Sequence, residues 1–243
     1  IAHGNNFIDL APPILKKLRD YRKVVQIMED ISEIKEYAKK NSVPILRDGG
    51  DDFICNYIKQ HNIKNILEIG TAIGYSAIRF AECAGDIHVT TIEMDIDRVI
   101  RAIQNIEDMH LQDRITVIHA DALLYNDLKG EFDLIFIDAA KAQYIRFFEK
   151  YKSYLAPGGV IVSDNLAFHG MVEDLSLTHN YSTIKLVKKI RKYVDFLKQN
   201  KEFRTDFYSE GDGISVSCRA ASPPVSYTNI RAHETTQNII CSL

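Results

Sequence analysis

Residues 65–75, Asn-Ile-Leu-Glu-Ile-Gly-Thr-Ala-Ile-Gly-Tyr, constrain this chain more than any other stretch. A short apolar run ends in Glu68-Ile69-Gly70, and a second glycine, Gly74, then opens a helical pattern. Ile66, Leu67 and Ile69 read as a strand buried on both faces, as in the middle of a parallel sheet. Glycines at 70 and 74 permit a sharp turn with the backbone close to a ligand.

A turn built for pyrophosphate more typically reads Gly-x-Gly-x-x-Gly. Here the third glycine is missing and the carboxylate of Glu68 precedes the first. An anion is repelled by that charge, whereas a ligand carrying an ammonium and a sulfonium is attracted. S-adenosylmethionine is such a ligand, against the plainer reading of an ordinary strand-to-helix turn.

The rest of the chain repeats the same logic. Further strands are expected at 88–93, 115–119, 134–138 and 160–163, with helices at 98–109 and 144–154. That alternation predicts an α/β fold, a Rossmann-like, doubly wound, mostly parallel sheet. Runs 203–208 and 214–218 flank Gly211-Asp212-Gly213 and predict an antiparallel C-terminal hairpin at the sheet edge. Apolar periodicity at Val24, Ile27, Met28, Ile31 and Ile34 predicts an N-terminal helix over 24–37, and another is expected over 51–60.

With 243 residues, 46% of them hydrophobic, one elaborated domain is expected over 1–219, its N-terminal helices within about 1–60. The start at Ile1 rather than methionine suggests a trimmed or incomplete terminus. Residues 220–243 lack periodicity, and Pro224-Val225-Ser226-Tyr227-Thr228 and Arg231-Ala232-His233-Glu234-Thr235 look like a translated sequencing adapter. A non-native or disordered tail is expected there, with no function for His233 or Cys241. The four cysteines show neither C-x-x-C pairing nor metal-finger spacing, and no membrane span or signal peptide is visible. These observations lead to the expectation of a reduced, cytoplasmic protein with no membrane partner. A net charge of -3 excludes a chain uniformly coated in base, but leaves room for a local patch.

Ligands of open α/β sheets bind beyond the carboxyl ends of the strands. This chain places Glu68, Glu93, Asp121, Asp138 and Asp164 at or just after five successive strand ends. Glu93 falls at about the spacing at which a carboxylate receives ribose hydroxyls. Asp138, Asp164 and Asn165 offer hard oxygen donors, suited to Mg²⁺ or Ca²⁺. Lys141 reads either as the group that takes a proton from the acceptor or as a surface lysine opening a helix.

Three segments together, Leu67-Glu68-Ile69-Gly70-Thr71-Ala72-Ile73-Gly74-Tyr75-Ser76, Ile135-Phe136-Ile137-Asp138-Ala139-Ala140-Lys141 and Ser163-Asp164-Asn165, resemble the metal-dependent O-methyltransferases of the catechol and caffeoyl-coenzyme A type. The resemblance runs over about 24–219 and is closest to the bacterial tRNA 5-hydroxyuridine methyltransferases. It implies Asp138, Asp164 and Asn165 as metal ligands, and Leu46, Glu68, Gly70, Gly74, Tyr75, Ser76, Glu93, Asp121, Ala122 and Asp138 as cofactor contacts. Lys141 and Asp138 would be the catalytic pair, S-adenosylmethionine and Mg²⁺ the cofactors, and a homodimer the assembly. The acceptor expected on this basis is 5-hydroxyuridine at the tRNA wobble position. A small catechol or phenylpropanoid is the alternative, with a non-catalytic binding module disfavoured. For RNA, phosphate-neutralising charge is offered by Lys185, Lys188, Lys189 and Lys192 on a helix over 183–199, or by Lys16, Lys17, Arg19, Arg22 and Lys23. Both clusters read equally well as solvated surface.

Overall fold

The computed structural model describes residues 30–220 together with Lys16 and Lys17. The tail expected at 220–243 therefore lies, beyond Ala220, outside the described residues, as do Arg19, Arg22, Lys23 and the 24–29 part of the first expected helix. Lys17 is described and pairs with Asp97.

Seven strands form one sheet: β1 (Asn65–Ile69), β2 (His88–Glu93), β3 (Ile115–His119), β4 (Phe132–Ile137), β5 (Leu155–Ser163), β6 (Phe203–Tyr208) and β7 (Ile214–Arg219). Their order is β3-β2-β1-β4-β5-β7-β6. β1 through β5 run parallel, β7 is antiparallel to β5, and β6 is antiparallel to β7. The expected hairpin is present, but of its two strands β7 is interior and β6 alone lies at a sheet edge.

Alternate residues of the parallel strands feed two cores. Ile66, Val89, Val117, Leu134, Phe136 and Val162 face helices α1 (Ile31–Lys40), α2 (Gly50–Gln60), α3 (Tyr75–Glu82) and α4 (Ile96–Asp108). Leu67, Ile69, Ile92, Ile135, Ile137 and Ile161 face α5 (Tyr144–Tyr151) and α6 (Tyr181–Gln199). Burial on both faces explains why these strands are continuous apolar runs rather than alternating ones. Their shared carboxyl ends open onto one rim, where the acidic residues collect.

Several boundaries move. Asp30 has extended backbone and its side chain accepts from Ser32 N at 2.6 Å, capping a helix that starts at Ile31 and runs to Lys40, past the expected end at 37. β5 begins at Leu155, five residues before the expected start. Pro157-Gly158-Gly159 reads as a turn in sequence but is carried within the strand, where the β4–β5 register shifts between Phe132 and Leu134. α6 begins at Tyr181, capped by Asn180, whose side chain accepts from Ser182 N and Thr183 N at 3.0 and 3.1 Å. No helix among the described residues is long and apolar enough to cross a membrane.

Candidate functional site

The turn expected to hold the cofactor is shaped by its two glycines. At Gly70 the backbone adopts φ +102°, and an added Cβ would lie 2.2 Å from the Asp138 carbonyl oxygen. The glycine is thus required by the neighbouring strand end. Gly74, at φ +85°, is the residue before α3 and has the left-handed backbone that opens the helix.

Glu68, expected to face a cationic cofactor, is fully buried. Thr91 Oγ1 donates to its Oε2 at 2.5 Å, Ser76 Oγ donates to its Oε1, and Thr91 in turn pairs with Thr71 at 2.6 Å. Its carboxyl ties β1, β2 and the first turn of α3 together. Burial pushes Glu68 up to about 7, opposed by the Ser76 and Thr91 hydrogen bonds and reinforced by the nearby carboxylates of Asp138 and Glu93.

This raised value has a sign that can be tested. A carboxyl whose native pKa lies above its unfolded one penalises the folded state once ionised. The stability it permits is full below about pH 4.5 and is lost as pH rises through about 7. Glu68→Gln is expected to remove this dependence, so that unfolding free energy falls less between pH 5 and 8 than in the parent, by about 2–3 kcal/mol. Urea unfolding of both proteins across that range checks it, and parallel pH profiles would refute the assignment.

Glu93 stands at the end of β2, 7% exposed. It accepts from the backbone N–H groups of Ala72, Met94 and Asp95, each at 3.0 Å. A carboxylate accepts about four hydrogen bonds, so one direction stays open for a hydroxyl. Beside it Met94 is exposed, an apolar side chain at the rim that the sequence reading did not single out. Asp121 accepts from Leu123 N at 2.8 Å and shapes the loop after β3, with Ala122 buried behind it.

Leu46 and Tyr75 are core residues, and the Tyr75 hydroxyl donates to Asp51 Oδ2 at 2.9 Å rather than standing free at the turn. Ser76, half-buried, spends its hydroxyl on Glu68.

At the ends of β4 and β5 the second expected cluster does come together. Lys141 Nζ donates to Asp138 Oδ1 at 2.7 Å and to the Tyr144 hydroxyl at 3.1 Å. Tyr144 OH then donates to the Asp164 carbonyl at 3.2 Å. Asn165 Nδ2 donates to Asp164 Oδ2, and Asn165 itself has left-handed backbone, φ 62°. Burial pushes Asp164 up to about 7, with Asp138 adding repulsion.

Asp164 Oδ1 is buried and has no hydrogen-bond partner among the described residues. A desolvated carboxylate oxygen left bare is costly unless a cation meets it. Two carboxylates and an amide are hard oxygen donors, so the residues fit a divalent ion such as Mg²⁺. Among the described residues no group of three His, Cys, Asp or Glu side chains is placed to hold a metal, so any ion here would need Asn165 or outside oxygens to complete its shell.

Three residues absent from the expected site lie beside it. Arg47 Nη2 contacts His169 Nδ1, and both approach Asp212 of the β6–β7 turn.

A family model described as O-methyltransferase matches residues 21–220. The caffeoyl-CoA O-methyltransferase of Populus kitakamiensis is 28% identical over 206 residues, covering 79% of this chain and 86% of the relative. A crystal structure from Staphylococcus aureus, of a protein provisionally named a caffeoyl-CoA O-methyltransferase, is 35% identical with a TM-score of 0.74, covering 86% of this chain and 99% of that one. An O-methyltransferase of Bacillus cereus, solved in complex with SAH, is 25% identical with a TM-score of 0.67, covering 84% and 97%. With its fold, its strand-end carboxylates and a family match spanning nearly the whole described chain, this protein belongs to the O-methyltransferase family, as an S-adenosylmethionine-dependent enzyme of the caffeoyl-CoA O-methyltransferase type.

Proposed function

We propose that the enzyme is divalent-cation-dependent and methylates one of two adjacent oxygens on a small planar acceptor of the catechol or phenylpropanoid class. The observation that carries the reading is Asp164 Oδ1, buried and bare beside Asp138 and Asn165. A cation held by Asp138, Asp164 and Asn165 would orient the vicinal oxygens and make one of them more anionic. Lys141 Nζ, fixed by Asp138 and Tyr144, is the group that receives the acceptor proton or faces the resulting oxyanion. Glu93, Asp121 and the Gly70–Gly74 turn would hold S-adenosylmethionine. The methyl carbon leaves sulfur as its bond to oxygen forms, an in-line displacement for which positioning supplies most of the help.

The relatives' names favour this acceptor class over the tRNA 5-hydroxyuridine first expected. The RNA reading is retained as the second, because Lys185, Lys188, Lys189 and Lys192 are all exposed on α6, and Tyr181 is exposed with the Lys185 ammonium 4.3 Å from its ring centroid. The same oxygen pair, 5-hydroxyl beside a carbonyl, would suit the site.

Incubation with labelled S-adenosylmethionine, a catechol panel and hydroxyuridine-containing tRNA tests both. Methylation of catechols, lost with EDTA and restored by Mg²⁺, is the expected result, and undiminished transfer in EDTA would remove the metal. Transfer to tRNA alone, weakened by salt and by changing Lys185, Lys188 and Lys189 to Ala, would move the acceptor to RNA. We also propose a homodimer, from the family resemblance, and a cytoplasmic location, from the cysteine pattern and the lack of a visible membrane span.

A further inference from the structure

Asp212, on the turn between β6 and β7, is 5% exposed, yet it organises two half-exposed side chains from distant segments. His169 N donates to its Oδ1 at 2.7 Å, His169 Nδ1 lies 3.4 Å from Oδ2, and Arg47 Nη1 lies 4.0 Å from Oδ1. Backbone bonds clamp the same place: Leu166 N donates to Gly213 O at 2.9 Å and Ala167 N to Asp212 O at 2.7 Å. The clamped segment directly follows Asn165 and passes through left-handed backbone at Phe168 and His169, φ 44° and 60°. Bulky residues adopt that conformation at a cost.

The electrostatics of the pair point outward. Arg47 Nη2 lies against the His169 ring, beside Nδ1 and 3.4 Å from Nε2, and both side chains keep about half of their surface exposed. A guanidinium has five N–H donors in a planar fork that matches carboxylate and phosphate oxygens. Most of the Arg47 fork is uncommitted, and Asp212, buried beneath it, fixes its position without covering it. The backbone bonds of Leu166 and Ala167 to this turn begin at the residue after Asn165, which sets the pair beside the Asp164–Asn165 end of the proposed site.

We infer that Arg47 and His169, aligned by Asp212, recognise an anionic group, carboxylate or phosphate, on the acceptor that Asp164 and Asn165 would orient. The inference rests on the function proposed above and adds a preference within it: acceptors with an acidic substituent bind ahead of their neutral counterparts.

Two matched pairs separate the sources of charge: catechol against 3,4-dihydroxybenzoate, and 5-hydroxyuridine against its 5′-monophosphate. Binding is measured by calorimetry with S-adenosylhomocysteine and Mg²⁺ present, and turnover separately with S-adenosylmethionine. Turnover of neither pair would refute the proposed function, while binding still reads the inference. The anionic member of at least one pair is expected to bind about tenfold or more tightly, with the preference appearing in KM rather than kcat. Carboxylate preference alone assigns a small acid, and phosphate preference alone a nucleotide. Arg47→Ala should erase the ratio, Arg47→Lys should keep part of it, and His169→Gln, which retains a donor, should reduce it less than His169→Ala. Unchanged S-adenosylhomocysteine affinity in these variants verifies that they fold. Equal affinity for charged and neutral members in the parent, or a preference that survives Arg47→Ala, would overturn the inference.

Discussion

Asp164→Ala is expected to lower methyl transfer by about 10³-fold and to abolish the thermal stabilisation that Mg²⁺ gives the parent. Both effects follow from one atom, the buried Oδ1 without a partner. Its neighbour Oδ2 is already held by Asn165, and the main-chain oxygen of the same residue by Tyr144. Of the carboxyl's two oxygens only Oδ1 is therefore left without a partner. Burial and Asp138 both push the Asp164 carboxyl up to about 7, so in the cation-free protein above that pH it is a liability to the fold. The sign is opposite to that of an ordinary salt-bridged aspartate: its removal should leave cation-free stability at pH 8 equal to or above the parent's. Loss of activity with the Mg²⁺ response gone and stability retained is the expected combination, read by turnover and by melting with and without Mg²⁺. Retained activity, or an intact Mg²⁺ shift, would place the ion elsewhere.

How much of this was legible from residues alone depends on the range over which each feature is determined. β1, β2 and β3 run over 65–69, 88–93 and 115–119 as expected, because each is a short, largely buried run that closes at Gly70, Glu93 or His119. The start of β5, expected at 160, lies at Leu155 because the pairing of Leu155 with Phe132 that extends it is not a local feature. The Asp138–Lys141 pair, three residues apart, was legible because it is local. By contrast Arg47 meets His169 across 122 positions, and His169 meets Asp212 across 43. In sequence Gly211-Asp212-Gly213 announces only a turn, and the aspartate's work on two other segments appears once the sheet order brings β7 beside β5. Glu68 shows a subtler limit. Its position before Gly70 was read as charge aimed at a ligand, but two hydroxyls, Ser76 and Thr91, enclose it, and nothing in their sequence spacing says which way the carboxyl turns.

Gly70→Ala is expected to be the most destructive single substitution in the chain, costing more than about 4 kcal/mol or preventing folding altogether. Two independent penalties coincide there. A φ of +102° is one that a residue with a Cβ rarely adopts, and the new methyl would sit 2.2 Å from the Asp138 carbonyl oxygen and 2.9 Å from its carbon. That obstacle is backbone in the strand next door, so no side-chain rotation relieves it. Asp138 N also donates to Ile69 O at 3.1 Å, and the displacement that makes room for the methyl would break this bond as well. The functional consequence follows from what the contact joins. On one side is the turn proposed for the methyl donor, on the other the carboxylate proposed for the cation and acceptor. Their separation is set by Gly70 against Asp138, with no intervening side chain to adjust. Chemical denaturation and S-adenosylhomocysteine binding check the prediction. A variant that folds with near-parental stability and binds the product cofactor normally would show that the two strand ends can part freely, and that the site does not depend on their contact.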